Sequence, residues 1–253
     1  MTKDRWDREF RVLVTLGESI TAGGWSSSPD RCWASRLAAL ISDVQSRPVE
    51  LFNAGIGANV ISTRSPCYGY SGKPAATERL EKHVIERKPD LLVISYGIND
   101  ARGGTPTKLF AEELEGIIAR VRERIAPLVV LLGPYRSTRF DLGGERWSHA
   151  SPEVSRAFND LTRAVALRTG CLFVDVLAAL GEADWMVHFD GVHLNDVGHL
   201  VVAAEVFKVL AQHCPGLARH TRDQEDRIPA WRDESTLAAD YGYEGGRAPA
   251  PRR

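Results

Sequence analysis

RVLVTLGESIT, residues 11 to 21, decides how the chain folds. A run rich in Val and Leu ends in Gly17, after which Glu18, Ser19 and Thr21 bring polar groups and Gly23 and Gly24 follow. A short, near-continuous apolar run of this kind reads as a strand buried on both faces. Four further runs share its character: ELF (50–52), LLVIS (91–95), LVVLL (128–132) and LFVDV (172–176). Segments with helical spacing follow each of them in turn, at 31–45, 75–87, 107–125, 152–169 and 196–213. Strand and helix alternating five times predict an α/β fold: a doubly wound, parallel, five-stranded sheet in a three-layer α/β/α sandwich. Ligands of such sheets bind beyond the carboxyl ends of the strands. The residues that follow each apolar run are therefore the ones to read for chemistry.

Composition narrows the function before any motif is considered. The chain of 253 residues is 43% hydrophobic and 26% charged, enough to bury one sizeable core. Lys and Arg total 32 against 33 Asp and Glu, a net charge of -1 with no basic stripe, which argues against a nucleic-acid partner. The N-terminal MTKDRWDREF lacks the apolar stretch of a signal peptide, and no segment reaches the length of a membrane span, so a cytoplasmic location is the expectation. Cys32, Cys67, Cys171 and Cys214 form no CxxC pair, so neither a zinc site nor a disulfide framework is expected. The periodic pattern stops near residue 215. We expect a main domain over 1–214 and a polar C-terminal tail over 215–253, partly disordered or packed on the body or a partner subunit. Trp231, Tyr241 and Tyr243 are its candidate anchors, and a homo-oligomer is compatible with this arrangement.

The polar residues concentrate at the predicted strand ends. Ser19 follows the first strand at a sharp turn into a helix, where a hydroxyl and its own backbone N–H can face one reacting centre; helix capping is the competing role for a serine there. The segment is not GxSxG, because Thr21 stands at the second glycine position. NAGIGANV, from Asn53 to Val60, is a small-residue loop that lets backbone approach a ligand. In YGIND (96–100), Asn99 offers an amide donor that does not titrate near neutral pH, or is an ordinary turn residue. In HFDGVHLNDVGH (188–199), Asp190 stands three residues before His193, a spacing that lets a carboxylate orient an imidazole. A metal set of His188, Asp190, His193 and His199 is the lesser alternative, since no HExxH-like spacing is present.

Taken together and in order, GESIT, NAGIGANV, YGIND and DGVH resemble the four sequence blocks of the SGNH, or GDSL-type, hydrolases, a family of esterases and lipases. The resemblance spans residues 11 to about 213 and implies the family's flavodoxin-like fold. It implies Ser19 as nucleophile, His193 as general base and then acid, and Asp190 as orienting carboxylate. It also implies an oxyanion hole from the Ser19 and Ala58 backbone N–H groups and the Asn99 side chain. Glu18 stands where the family usually has Asp, and Ala58 where it usually has Gly; Ala58 can serve if its φ is negative or mildly strained.

The resulting expectation is a serine esterase that needs no metal or organic cofactor and acts on a small-molecule ester with a small acyl group, an O-acetylated sugar among the candidates. A lipase or acyl-thioesterase is the alternative, and a non-catalytic binding module is a third class. Candidate substrate contacts are Glu18, Arg102, Tyr135, Arg136 and His188, with Arg139, Tyr68, Tyr70 and Trp147 in loops expected nearby.

Overall fold

A computed structural model describes residues 4–227 and 233–243. β1 (Val12–Gly17) pairs in parallel with β2 (Glu50–Gly55) on one side and β3 (Leu91–Ser95) on the other. β4 (Leu128–Leu132) and β5 (Leu172–Val174) complete a five-stranded sheet of order β2-β1-β3-β4-β5. The strand order reverses at β1, so the crevice beyond its carboxyl end is where a doubly wound sheet binds its ligand.

Alternate residues of the strands feed two separate cores. Leu91 and Val93 of β3, with Leu128, Val130 and Leu132 of β4, pack under the helices Trp33–Val44 and Asp196–His213. Leu92, Ile94, Val129 and Leu131 point the other way, against the helices Thr107–Arg122 and Pro152–Thr169 and the helical stretch from Ala76 to Ile85. Both faces of the sheet are thus covered, which is why its strands read as unbroken apolar runs. Each fully buried aliphatic side chain in these layers contributes about 1.5–3 kcal/mol.

The strand boundaries differ from the expectation in two places. β2 runs on to Gly55 because its register with β1 continues from Val12↔Glu50 to Gly17↔Gly55, through residues whose composition does not announce a strand. β5 stops at Val174 because the Asp175 side chain accepts the Ala178 N–H and starts the short helix Val176–Leu180. Glycines fix the rim at both strand ends. A Cβ on Gly55 would lie 2.1 Å from the Ala22 nitrogen, and one on Gly17 would lie 2.2 Å from the Thr21 hydroxyl oxygen. Only with both as glycine can the short helix Ser19–Ala22 sit down on the strand ends.

Beyond residue 214 the chain first packs on the body. The 3-10 turn Pro215–Ala218 places the Gly216 N–H on the Trp6 carbonyl at 3.1 Å and buries Leu217 in the core. In the later helix Ser235–Tyr241, Tyr241 is exposed, and the Tyr243 hydroxyl donates to nearby Glu234. Trp231 and residues 245–253 lie outside the described residues. Cys32, Cys67, Cys171 and Cys214 are free, buried thiols.

Candidate active site

Ser19 opens the helix Ser19–Ala22 directly beyond β1, and its carbonyl accepts the Gly24 N–H at 2.8 Å, closing the turn. Asp190 and His193 sit on a loop pinned at its base. Val187 and Leu194 pair across it, the His188 N–H donates to the His193 carbonyl at 2.7 Å, and Asn195 caps the helix Asp196–His213. The loop brings the imidazole over the end of β1. Ser19 Oγ lies 2.9 Å from His193 Nε2, and His193 Nδ1 lies 2.7 Å from Asp190 Oδ2. A carboxylate only accepts, so Nδ1 carries the hydrogen and Nε2 presents its lone pair to the Ser19 hydroxyl.

The electrostatics keep this imidazole neutral yet ready to charge. Burial draws His193 below its ordinary value, against the opposing pull of the Asp190 carboxylate. Burial pushes Asp190 the other way, but the His193 and Val192 N–H groups and the imidazole outweigh it and hold the carboxyl below its ordinary value. Those two N–H groups reach Asp190 Oδ1 at 3.0 and 2.9 Å.

Asn99 enters from beyond β3 on the short helix Ile98–Arg102. Its side-chain amide donates to the Asn59 carbonyl at 3.1 Å, and Arg102 donates to its Oδ1 at 3.4 Å. These contacts fix which end of the amide is the donor and use one of its two hydrogens. Ala58 comes from the loop after β2, with a φ of +52°. That is the left-handed region, not the negative φ an alanine prefers, and it explains why glycine is the easier residue there. Ser19, Ala58, Asn99 and His193 line one cavity of about 420 Å³, with Arg102 and Trp147 on its wall.

Four of the expected substrate contacts are elsewhere. Glu18 is 1% exposed and lies beneath the site, where its carboxylate accepts the Asn99 backbone N–H. Tyr135 is core, its hydroxyl 2.6 Å from Ser95 Oγ. Arg136 is held away by Glu182 and Asp184 and borders a separate cavity of about 580 Å³. His188 accepts the Asp190 N–H at Nδ1 and contacts Phe189 and Trp25 instead of lining the cavity. Of the other loop residues, Arg139 pairs with Asp141, and Tyr70 lies under the Arg146 guanidinium. The alternative metal set does not assemble: His199 accepts the Trp33 N–H at Nδ1 and faces the Gly24 carbonyl with Nε2. Among the described residues, no group of three His, Cys, Asp or Glu is placed to hold a metal ion.

A buried polar scaffold behind the site has no counterpart in the sequence reading. Asp100 accepts from the Ile61 N–H and from the Ser65 and Thr105 hydroxyls, tying the loop after β2 to the loop after β3. Burial raises its carboxyl to about 6 despite these donors. Arg79, 4% exposed, donates to the Ala54 carbonyl, the Asn59 side chain and the Tyr96 hydroxyl, and so fixes the loop that carries Ala58. Asp100 and Tyr96 in YGIND and Asn59 in NAGIGANV lie in the quoted segments, but nothing in those segments announces their buried partners.

Residues 15–201 match the sequence model of the GDSL-like lipase/acylhydrolase family. The chain belongs to that family. This GDSL-like protein is a hydrolase of ester bonds. A GDSL lipase of Mycobacterium tuberculosis is 25% identical over 83% of this chain and 86% of its own. An uncharacterised lipoprotein of Bacillus subtilis is 26% identical over 70% of this chain and 75% of its own. Solved structures share the fold. A lipase/acylhydrolase from Enterococcus faecalis superposes with a TM-score of 0.62 at 24% identity, over 79% of this chain and 95% of its own. An acetylxylan esterase from Geobacillus stearothermophilus gives 0.60 at 19% identity, over 80% and 95%.

Proposed function

We propose that this GDSL-like hydrolase cleaves small-acyl carboxylic esters through an acyl-enzyme, with Ser19 as nucleophile. The observation that carries the reading is the continuous chain Ser19 Oγ, His193 Nε2, His193 Nδ1, Asp190 Oδ2, with links of 2.9 and 2.7 Å, opening on the cavity. His193 takes the Ser19 proton as the oxygen attacks the ester carbonyl, and Asp190 stabilises the imidazolium that forms. The tetrahedral oxyanion is received by the Ser19 and Ala58 N–H groups and the free Asn99 amide hydrogen. His193 then protonates the departing alcohol, and water attacks the acyl-enzyme by the same route in reverse.

The cavity favours a short acyl group on a polar alcohol. It is about 420 Å³, and Arg102 and Lys73 interrupt its apolar lining, whereas a long acyl chain needs a continuous greasy groove. Trp147 and Trp25 offer aromatic faces suited to a sugar ring. The structural likeness to an acetylxylan esterase supports an O-acetylated sugar as the substrate class. Hydrolysis of a series of p-nitrophenyl esters from acetate to octanoate, together with acetylated oligosaccharides, tests this. The reading expects kcat/KM to peak at acetate and fall with chain length; a maximum at octanoate would replace it with a lipase.

A further inference from the structure

Trp25 follows Gly24 in the loop beyond Ser19, and its indole lies flat on the His193 imidazole, with ring centroids 3.8 Å apart and planes 10° from parallel. Its backbone has a φ of +65°, a conformation in which glycine is the unstrained residue. The loop is held in that shape by the start of the helix Asp196–His213. His199, with Nδ1 occupied by the Trp33 N–H, carries its hydrogen on Nε2 and donates to the Gly24 carbonyl at 3.3 Å. Asp196 accepts from the Ser27 N–H at 2.8 Å, the Ser27 hydroxyl at 2.6 Å and Arg31 at 3.1 Å. The segment after Ser19 is thereby fastened to the helix that follows His193.

We infer that Trp25 is a positioning residue for the reaction: its π face stabilises the imidazolium that His193 becomes on taking the Ser19 proton, and keeps the ring aligned between Ser19 and Asp190. The inference rests on the proposed roles of Ser19 and His193. An aromatic ring carries negative potential on its face and attracts a cation stacked on it. A neutral imidazole gains little from that potential and an imidazolium gains much, so the contact strengthens as the proton moves. No bond forms or breaks at Trp25. Among the described residues, the other charged or titratable groups around the imidazole are Asp190, in contact at 2.7 Å, Arg102 and His188, both of which oppose its protonation, and His199, whose protonation and that of His193 oppose one another. Trp25 is 48% exposed, so its replacement leaves the core intact.

The test compares wild type, Trp25→Phe and Trp25→Leu. Leucine keeps an apolar cover on the ring but has no π face, whereas alanine would also admit water and move the imidazole in the opposite direction. Two readouts are taken. One is the pH dependence of kcat and kcat/KM for p-nitrophenyl acetate; the other is the NMR titration of the His193 ring, assigned with His193→Gln. We expect Trp25→Leu to lower kcat about two- to fivefold and to move both the acid limb and the ring titration to lower pH, with Trp25→Phe between. A ring titration in Trp25→Leu that is unchanged or moves to higher pH overturns the inference. Because the NMR titration needs no turnover, a wild type without esterase activity would refute the proposed mechanism separately from the role of Trp25.

Discussion

The Glu18 carboxyl group accepts the Asn99 backbone N–H at 2.9 Å, joining the residue before Ser19 to a residue that lines the cavity. Both are buried, and the second carboxyl oxygen of Glu18 has no protein partner among the described residues. Burial, reinforced by nearby Asp100, raises the Glu18 carboxyl well above its ordinary value. The neutral acid therefore persists where an exposed glutamate is ionised. Glu18→Gln keeps the acceptor and should retain most activity. Glu18→Ala leaves a buried N–H unpaired and should lower stability by about 1–3 kcal/mol, with a fall in kcat as Asn99 loosens. Urea unfolding and steady-state kinetics check both variants.

The same carboxyl has a signature in the pH dependence of stability. Its folded-state pKa lies above the unfolded one, so between the two values the folded protein binds more protons, and its contribution to stability falls as pH rises through that window. Glu18→Gln removes this contribution. The stability of wild type relative to Glu18→Gln should decline from acid toward neutral and alkaline pH, measured as urea midpoints across the range; a difference independent of pH would contradict the raised pKa.

Asn99→Ala should reduce kcat about 100 to 1,000-fold, the usual effect of deleting one oxyanion donor, with a far smaller change in KM. The amide is anchored by the Asn59 carbonyl and Arg102, so the loss reports the side chain and not a mobile loop. Initial rates with p-nitrophenyl acetate measure it.

Activity should extend below the pH at which an unperturbed histidine, with a pKa of about 6.5, would lose its function as a base. Burial lowers His193, so the neutral base survives to lower pH. Asp190→Asn removes the carboxylate that favours the imidazolium. It should move the acid limb lower still and reduce kcat roughly 1,000 to 10,000-fold. Profiles of kcat/KM against pH for both proteins decide this.

The sheet was legible in the sequence because parallel strands buried on both faces leave unbroken apolar runs, and LLVIS and LVVLL appear intact as β3 and β4. The four polar segments at the strand ends were legible for the same topological reason. Contacts between distant segments were not. Tyr135 and Arg136 follow β4 as expected, yet one turns into the core and the other to Glu182 and Asp184. Strand order places a loop at the rim but does not say which way its side chains point. Trp25 carries no motif, and its partner His193 is distant in the chain, so their stacking emerges only from the fold.

Ala58 gives a prediction about stability alone. Its φ of +52° strains any side chain, and Ala58→Gly relieves that strain while adding chain entropy to the unfolded state. The two effects leave a net gain of up to about 1 kcal/mol, read as a higher urea midpoint with the slope unchanged and esterase activity retained.

Labelling by a fluorophosphonate probe addresses the central claim most directly, since the probe forms a covalent bond only with an activated serine. The mechanism predicts a single labelled site at Ser19 in wild type, abolished in Ser19→Ala and strongly slowed in His193→Gln. Undiminished labelling of Ser19→Ala would place the nucleophile elsewhere and contradict the account.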